Sequence, residues 1–266
     1  MKGIILAGGT ATRLFPLTAT TSKQLLPVYD RQMIFYPLNV LIKAGIRDIL
    51  IIVSPEHSGQ FLNLLGSIFD GMDIRLEFKV QKEPRGLADA FILGEDFIDK
   101  GSVAMILGDN IFEDDLSEKI KSFEKGGLVF AKEVSDPERF GVVEFSEDGQ
   151  ALSIEEKPAE PRSNFAITGL YVYDREVVDI AKNLTPSVRG ELEITDIHNA
   201  YLQKEELRVE KLSGEWMDAG TIESLLEAGI MVKEKKIYAG MHPIINEAIS
   251  RFNEELKTIA KKKLGG

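Results

Sequence analysis

Residues 4–27 read IILAGGTATRLFPLTATTSKQLLP, and the rest of the chain is organised around this stretch. A short apolar run ends in Gly8-Gly9, and a segment rich in threonine follows it. Residues 1–27 carry three cations and no carboxylate. A loop that leaves a strand, exposes backbone N–H groups at glycines and excludes negative charge is what a polyphosphate site needs. The alternative is an ordinary strand-to-loop turn whose charges have this distribution by accident.

The composition limits the class of protein. The chain has 266 residues, enough for one domain with a sub-domain, and it has no cysteine, which excludes disulfides and thiolate chemistry. Its net charge of −11 argues against nucleic acid or an acidic membrane surface as partner, since both need a basic footprint. The N-terminal apolar run is too short for a signal peptide, and no segment approaches the roughly 18 apolar residues of a membrane span. We therefore expect a soluble, cytoplasmic protein that holds any anionic substrate with a few local cations.

Apolar runs alternate with segments of helical period in the first half of the chain. Nearly continuous apolar runs predict buried parallel strands at residues 2–7, 48–53 and 102–107. Helical periodicity predicts helices at residues 33–44, 59–65 and 87–97. This alternation predicts an α/β fold with a doubly wound, mostly parallel sheet, whose ligands bind beyond the carboxyl ends of the strands.

The pattern changes after about residue 128. Strand-like runs follow one another with few helices between them, at residues 128–134, 142–145, 151–154 and 166–173. Asp148-Gly149 between two of these runs is a hairpin signal. Helices are predicted at residues 176–183 and 193–204, followed by a strand near 207–212. We expect an antiparallel extension of the parallel sheet that forms one wall of the site.

The C-terminal segment predicts an amphipathic helix that begins after Pro243. Its apolar residues follow the i, i+3, i+4, i+7 spacing of one helix face: Ile245, Ala248, Ile249, Phe252, Leu256, Ile259 and Ala260. This face either forms a contact between copies of the chain or packs on its own domain, and the sequence favours neither.

Three further clusters carry residues able to do chemistry. In LGDN, residues 107–110, Asp109 follows an apolar strand and either binds a ligand or caps the next helix. In EEKP, residues 155–158, adjacent opposite charges are either a site or a solvated face. In WMDAGT, residues 216–221, Asp218 is either a ligand or a helix cap. Two well separated aspartates are what a Mg²⁺ ion bound with phosphates requires.

Several known signatures are absent. There is no GxxxxGK[ST] loop, which excludes a P-loop enzyme, and no GxGxxG follows the first strand, which argues against a dinucleotide dehydrogenase. No two of the three histidines have metal-ligand spacing.

Together the clusters resemble those of a known family. GGTATRLFPLTATTSKQLLPV is similar to the sugar-phosphate nucleotidylyltransferase signature, G-G-x-G-T-R-L-x-P-x-T…K-x-L-L-P-V. Later segments resemble, in order, the members that transfer thymidylyl groups to glucose 1-phosphate: VQKEPRGLADAF, LGDNIF, DPERFGVVEF, EEKP, ITGLYVYD, RGELEITDI and WMDAGT. The resemblance covers about residues 1–230 and fits the short form of the family. It implies a Rossmann-like catalytic domain at 1–234, with a nucleotide part to about 127 and a sugar part at 128–234, and a helical tail at 235–266.

The resemblance also implies a role for each nucleotide-site residue. A segment that wraps the triphosphate would comprise Gly8, Gly9, Thr10, Ala11, Thr12 and Arg13, and Leu6 would also bind the nucleotide. Arg13 would contact the leaving pyrophosphate, and Lys23 would contact phosphate from the other side. Gln81 would pair with the pyrimidine edge, and Gly86 would let the base lie against backbone.

The sugar and metal residues follow from the same resemblance. Glu156 would accept sugar hydroxyls and Lys157 would bind the sugar phosphate, while Asn110, Gly141 and Thr168 would line the sugar. Asp109 and Asp218 would hold Mg²⁺. The implied catalytic set is Arg13, Lys23, Asp109 and Lys157. In the implied reaction, dTTP and α-D-glucose 1-phosphate give dTDP-glucose and pyrophosphate. The resemblance also implies a homo-oligomer, either a dimer or a tetramer.

Ala11 departs from the family signature, which has glycine at this position. Glycine is favoured where backbone approaches a phosphate closely or adopts a positive φ. Because a methyl group there could impair catalysis, one alternative is that the chain is a non-catalytic nucleotide-sugar sensor. The retention of Arg13, Asp109, Lys157 and Asp218 argues against this alternative. A UTP-using enzyme, or one for another sugar phosphate, is the nearer alternative, because Gln81 cannot detect the thymine methyl group.

Overall fold

The three apolar runs of the first half form neighbouring parallel strands in a computed structural model that describes residues 1–9 and 12–264. The strands of these residues, in chain order, are β1 (Lys2–Ala7), β2 (Pro27–Val28), β3 (Arg31–Gln32), β4 (Asp48–Val53), β5 (Arg75–Val80), β6 (Val103–Leu107), β7 (Asn110–Phe112), β8 (Gly127–Glu133), β9 (Gly141–Phe145), β10 (Ala151–Glu156), β11 (Phe165–Tyr173), β12 (Leu207–Lys211) and β13 (Trp216–Asp218).

Nine of the strands in the described part of the chain form one sheet. β1 lies between β4 and β6 and pairs in parallel with both, and β5 continues the parallel set beyond β4. On the other side, β11 pairs antiparallel with β6 and with β8. β9 joins β11 and carries β10 as an antiparallel hairpin. The predicted fold class, a mostly parallel sheet with an antiparallel extension, is therefore confirmed.

Alternate residues of the central strands point to two hydrophobic cores, one on each face of the sheet. Ile5, Ile51 and Ile106 belong to one core, and Ile4, Leu50 and Met105 belong to the other. Strands that are buried on both faces are apolar at every position. This explains why β1, β4 and β6 read as continuous apolar runs and were predicted from the sequence.

The strand β5 was missed by sequence analysis. Residues 75–80 (RLEFKV) alternate polar and apolar side chains, and half-buried or exposed residues make up the whole strand. β5 lies at the edge of the sheet, and among the strands of the described residues only β4 pairs with it. An edge strand of this kind has a weaker apolar signal than a buried central strand.

The helices fill the connections between strands. Those of the described residues are α1 (Phe35–Lys43), α2 (Ser58–Leu65), α3 (Asp89–Leu93), α4 (Glu95–Ile98), α5 (Ser117–Lys121), α6 (Glu176–Lys182), α7 (Ile194–Gln203), α8 (Ile222–Glu234) and α9 (Pro243–Leu264). The predicted helix at 87–97 is two short helices that meet at Gly94, and the others lie close to their predicted positions. No helix of residues 1–9 and 12–264 has the length and apolarity to span a membrane.

The C-terminal helix α9 begins at Pro243, as predicted. Ile245 and Ala248 are fully buried in the same core as α1, and Ile249 and Phe252 pack against that core. The first turns of the apolar face therefore pack on their own domain. The side chains of Leu256, Ile259 and Ala260 lie outside the described residues, and a contact between copies through them stays a prediction.

Candidate active site

The candidate site lies at the edge of the sheet where the parallel strands end. β1 is followed by Gly8-Gly9, β5 by Gln81, and β6 by Gly108 and Asp109. Because β1, β4, β5 and β6 run in parallel, their carboxyl ends meet at one edge. Segments that are far apart in the sequence therefore converge in one cleft.

Two adjoining cavities occupy this cleft, one of about 400 Å³ and one of about 230 Å³. Arg13, Glu156, Lys157 and Asp218 line both, so these residues lie where the two cavities meet. The larger cavity collects most of the residues predicted to bind nucleotide: Leu6, Gly8, Gly9, Arg13, Lys23, Gln81, Gly86 and Asp109. Thr12 begins a short 3₁₀ turn, Thr12–Leu14, and does not line it. Thr10 and Ala11 lie outside the described residues.

The smaller cavity collects four of the five residues predicted to bind the sugar phosphate. Asn110, Gly141, Glu156 and Lys157 line it. Thr168 is fully buried and is not part of its lining, whereas its chain neighbours Ile167 and Gly169 are. Its role at the sugar therefore stays a prediction. Trp216 and Phe140 also line this cavity, and their rings pack edge-on with centroids 5.2 Å apart. The sequence did not predict a role for this aromatic pair.

A short two-stranded sheet brings Asp109 and Asp218 together. β13 pairs with β7 so that Asp218 lies opposite Asn110, and the backbone N–H of Ala219 donates to the carbonyl of Asp109 at 2.9 Å. A Cβ on Gly220 would lie 2.8 Å from Asp218 Oδ1 and 2.9 Å from a terminal nitrogen of Arg13. Because glycine has no Cβ, Asp218 and Arg13 can both lie close to the backbone of Gly220.

The Asn110 carboxamide holds this part of the cleft together. Its Oδ1 accepts hydrogen bonds from Trp216 Nε1 at 2.6 Å and from the backbone N–H of Gly169 at 2.9 Å, and its Nδ2 donates to Asp109 Oδ1 at 3.2 Å. The side chain is 1% exposed, so these bonds compensate its burial. Asn110 thus fixes Asp109 and the Trp216 ring as well as lining the cavity.

The two aspartates differ in electrostatic environment. Burial raises the pKa of Asp218, and the nearby charge of Asp109 raises it further, to about 6. Burial also acts to raise the pKa of Asp109, but the ion pair and hydrogen bond with Lys23 outweigh it and lower that pKa. Burial acts to lower the pKa of Lys23, and Asp109 outweighs it so that the pKa is raised. Lys23 therefore favours the ionised form of Asp109, and it acts in the same direction on Asp218.

Asp109 and Asp218 are the carboxylates best suited to hold a divalent cation. Asp218 Oδ1 is buried and has no hydrogen-bond partner within residues 1–9 and 12–264, which is unfavourable unless a cation or ligand contacts it. In the same described residues, no group of three or more histidine, cysteine or acidic side chains is arranged to hold a metal ion. A metal here would have to take its remaining ligands from phosphate oxygens and water.

The basic side chain of Arg189 also lines the larger cavity, although sequence analysis gave it no role. Its guanidinium lies 2.7 Å from Glu193 Oε2 and 3.4 Å from Glu156 Oε1. Thr195, from the same segment, donates to Glu156 Oε2 at 2.6 Å and lines the smaller cavity. Both residues lie in RGELEITDI, which carried the family resemblance, so the signal was present in the sequence without a role attached.

Two buried rings, those of His198 and Tyr171, form part of the lining of the smaller cavity. His198 lines it beside Tyr171, with ring centroids 5.4 Å apart. Burial lowers the pKa of His198 to about 3, so the ring carries no charge at neutral pH. Among the described residues, the charged groups that line this cavity are Arg13, Arg139, Glu156, Lys157 and Asp218.

Gly86 is required where the loop after β5 meets the segment before α7. Its φ is +101°, and a Cβ would lie 2.4 Å from the carbonyl oxygen of Leu192. The backbone N–H of Ala88 donates to that carbonyl at 3.2 Å, and the N–H of Leu192 donates to the carbonyl of Arg85 at 2.8 Å. Gly86 thus lets two backbone segments pack directly at the wall of the larger cavity.

We predict that Gly86→Ala destabilises the protein by about 2–3 kcal/mol and weakens nucleotide binding. A positive φ alone costs an alanine about 1 kcal/mol, and the contact with Leu192 adds to it. Gly149→Ala is the matched control, because Gly149 has a φ of +84° and no atom within 4 Å of its Cβ position. Urea denaturation measures both free energies of unfolding. Equal losses in the two variants would show that the Leu192 contact adds nothing.

The chain is similar over most of its length to known nucleotidyl transferases. The nucleotidyl transferase family model matches residues 2–235. A glucose-1-phosphate thymidylyltransferase of Neisseria gonorrhoeae is 52% identical over 258 residues, which cover 94% of this chain and 88% of that protein. One from Mycobacterium tuberculosis is 47% identical over 94% of this chain and 88% of its own length.

This chain belongs to the glucose-1-phosphate thymidylyltransferase family of nucleotidyl transferases. A solved structure assigned to the same family, from Bacillus anthracis and in complex with sucrose, has a TM-score of 0.82 and 44% identity. It covers 88% of this chain and 96% of that one. A UDP-glucose pyrophosphorylase complexed with UDP-glucose, with a TM-score of 0.77 and 23% identity, shares the fold. The family resemblance stated from the motifs is therefore confirmed, and the chain is an enzyme of this family.

Proposed function

We propose that this chain transfers the thymidylyl group of dTTP to α-D-glucose 1-phosphate, giving dTDP-glucose and pyrophosphate. The observation that carries the proposal is the meeting of two cavities at Arg13, Lys157 and Asp218 in a chain 52% identical to a glucose-1-phosphate thymidylyltransferase. The larger cavity would take the nucleotide and the smaller one the sugar. The phosphates of the two substrates would then meet at the shared residues.

The chemistry needs positioning more than proton transfer. A phosphate oxygen of glucose 1-phosphate attacks the α-phosphorus of dTTP, and a new P–O bond forms. The bond from the α-phosphorus to the oxygen that bridges it to the β-phosphorus breaks, and its electron pair leaves with pyrophosphate. The attacking oxygen is already anionic at pH 7, so no general base is needed. The obstacle is repulsion between two polyanions, which cations and fixed geometry reduce.

The residues of the larger cavity have distinct roles in this proposal. Gly8 and Gly9 present backbone to the triphosphate together with Thr10, Ala11 and Thr12, and Leu6 lines the same cavity. Arg13 stabilises charge that develops on the leaving pyrophosphate, and Lys23 contacts phosphate from the opposite side. Gln81 pairs with the edge of the base, and Gly86 leaves room for the base against the backbone.

The residues of the smaller cavity hold the acceptor. Glu156 accepts hydroxyl groups of the sugar, and Lys157 binds its phosphate. The left-handed backbone of Lys157, with φ +45°, is held by a hydrogen bond from its N–H to the carbonyl of Phe140 at 2.9 Å. A non-glycine residue in this region costs about 1–2 kcal/mol, a strain often found at functional positions. Asn110, Gly141 and Thr168 complete this side of the site.

We propose Mg²⁺ as the cofactor, held by Asp109 and Asp218. The charges that line the two cavities support the need for an added cation. Among the described residues, equal numbers of cations and carboxylates line them, namely Arg13, Lys23, Arg139, Lys157 and Arg189 against Asp109, Glu156, Glu191, Glu193 and Asp218. The cleft alone therefore has no excess positive charge for two polyanions. When bound, the ion supplies positive charge to phosphate oxygens, as in other phosphoryl-transfer sites.

A purified sample tested with a panel of substrates decides the proposal. Pyrophosphate release is measured for dTTP, UTP, dCTP and ATP, each with glucose 1-phosphate and with other sugar 1-phosphates. We expect the highest kcat/KM for dTTP with glucose 1-phosphate. A higher value for UTP would favour a uridylyltransferase instead. Binding of dTDP-glucose without release from any pair would favour the sensor function. An assembly of two or four copies and a cytoplasmic location belong to the same proposal, and light scattering measures the first.

We predict that Arg13→Ala and Lys157→Ala have different kinetic effects. Arg13→Ala should lower kcat, because charge on pyrophosphate grows in the transition state. Lys157→Ala should raise the KM for glucose 1-phosphate and leave the KM for dTTP little changed, because its partner is the acceptor phosphate. Lys100→Ala, at an exposed lysine away from both cavities, is the control and should change neither constant. A loss of dTTP affinity alone in both variants would place Lys157 on the nucleotide.

A further inference from the structure

The carboxamide of Gln81 has one defined orientation. Its Nε2 donates to Asp89 Oδ2 at 2.9 Å. Asp89 is the first residue of α3 and is only 2% exposed. A carboxylate accepts hydrogen bonds and cannot donate them, so only the NH₂ end of the amide can face it. The hydrogen-bond network therefore decides which end of Gln81 points to Asp89.

The opposite end of the amide faces the larger cavity. Gln81 lines this cavity together with Gly8, Pro84 and Gly86. A Cβ on Gly8 would lie 3.5 Å from Gln81 Oε1, so the oxygen lies beside the glycine loop that follows β1. Within residues 1–9 and 12–264, no hydrogen bond to Oε1 is formed. The cavity thus presents a carbonyl acceptor of fixed orientation beside the segment proposed to bind phosphates.

We propose that Asp89 is a positioning residue that fixes the Gln81 carbonyl oxygen toward the base and thereby selects a base with an N–H at the centre of its pairing edge. This inference rests on the proposed function, in which Gln81 meets the pyrimidine. Thymine and uracil have N3–H at that point, whereas the N3 of cytosine is an acceptor. Cytosine would place a lone pair against Oε1 and leave both groups unpaired. A site built to hydrogen-bond one group rejects an analogue that lacks it strongly.

The burial of Asp89 supports a positioning role. A carboxylate in the first turn of a helix interacts favourably with the helix dipole even when it is exposed. Burial adds a desolvation cost that needs a compensating partner. The Gln81 amide is that partner on one oxygen, and Arg85 lies 3.7 Å from the other. The constraint depends on the carboxylate, because an asparagine both donates and accepts and would allow Gln81 to turn its NH₂ group toward the base.

The test compares dTTP with dCTP as donors to glucose 1-phosphate in wild type, Asp89→Asn and Glu83→Gln. We expect Asp89→Asn to lower the ratio of kcat/KM for dTTP to that for dCTP at least about tenfold, with the KM for glucose 1-phosphate unchanged. Glu83 is an exposed carboxylate in the same loop, and Glu83→Gln should keep the wild-type ratio. Asp89→Ser is a second variant, because its hydroxyl also both donates and accepts.

A purely structural role for Asp89 predicts a different result. In that case the rates with dTTP and dCTP would fall in parallel and the ratio would stay constant, which would overturn the inference. Calorimetric binding of dTDP and dCDP gives the same ratio without catalysis and serves any variant with low turnover. Wild type that does not use dTTP would contradict the proposed function. If wild type prefers dTTP and both Asp89 variants keep its ratio of kcat/KM for dTTP to that for dCTP, only the role of Asp89 is contradicted.

Discussion

Asp218→Asn is expected to lower kcat/KM by about 10²–10³, the scale observed when one charge-stabilising group is removed from an active site. Asp218 Oδ1 is buried without a hydrogen-bond partner in the described residues, and the side chain lines both cavities. The asparagine amide has nearly the same shape as the aspartate carboxylate but lacks the negative charge that would bind the cation. Asp109→Asn should have an effect of similar size, and the double variant should lose less than the product of the two, because both act on one ion.

Pyrophosphate release at a series of Mg²⁺ concentrations measures this effect. Both single variants should need more Mg²⁺ for half-maximal rate, and excess chelator should abolish the activity of wild type. Glu215→Gln is the control, since Glu215 is an exposed carboxylate three residues before Asp218. It should retain activity within about twofold, as expected of a surface substitution. Full activity of wild type in excess chelator, or full activity of Asp218→Asn, would contradict the proposal that Asp109 and Asp218 hold Mg²⁺.

Lys23→Met is expected to destabilise the folded protein by about 3 kcal/mol at pH 8 in the absence of divalent cations. Lys23 forms an ion pair with Asp109, and the two side chains are 17% and 9% exposed. Methionine retains the apolar stem but leaves Asp109 and Asp218 buried with no adjacent ammonium. Removing one member of a buried pair costs far more than the pair contributes on balance, because the remaining charge is uncompensated.

The size of this loss should depend on pH. The pKa of Asp218 is raised from 3.8 to about 6, so its ionisation lowers stability as the pH rises through that range. Lys23 acts to lower the pKa of Asp218, and its removal moves that pKa higher. The variant can relieve repulsion by binding a proton, and its loss of stability should be smaller at pH 5 than at pH 8. Urea denaturation at both values measures this difference.

A lysine in an exposed ion pair is the matched control, because its replacement removes the same charge without the effect of burial. Lys125 pairs with Glu206 at 3.0 Å, but its side chain is 76% exposed. Lys125→Met should lower the free energy of unfolding far less than Lys23→Met, because exposed ion pairs contribute little to stability. Added Mg²⁺ should restore part of the stability of Lys23→Met, because the ion would replace the missing positive charge beside Asp109. No gain from Mg²⁺, together with equal losses in the two variants, would show that Lys23 does not compensate a buried acidic pair.

Lys23 also explains how the acidic pair is tolerated before substrates bind. Lys23 lies in the segment 4–27, which the sequence predicts to bind phosphates, and its contact with Asp109 is a second role for that segment. The same ammonium that would contact phosphate in the complex contacts Asp109 here. Binding of phosphates and a cation would exchange these partners, so neither carboxylates nor phosphates are left without positive charge.

The sequence was sufficient for features that depend on local pattern. The strands β1, β4 and β6 are buried on both faces and read as apolar runs, so their positions follow from composition over a few residues. The glycines after β1, the absence of carboxylates before residue 28 and the aspartate after β6 predicted the place of the site. The edge strand β5 was missed, because an alternating and partly exposed segment lacks that signal.

By itself, then, the sequence determined a doubly wound α/β sheet and family motifs for nearly every residue of the cleft, and it predicted the segment that binds phosphates. Only the tertiary structure decided which of those residues meet. The pairing of β7 with β13 brings Asp218 beside Asp109, and a hydrogen bond with Asp89 orients Gln81. The ion pair with Lys23 lowers the pKa of Asp109, whereas burial and the charge of Asp109 raise the pKa of Asp218. These relations join residues from separate elements, and their strength depends on burial and distance, which a local sequence pattern does not encode.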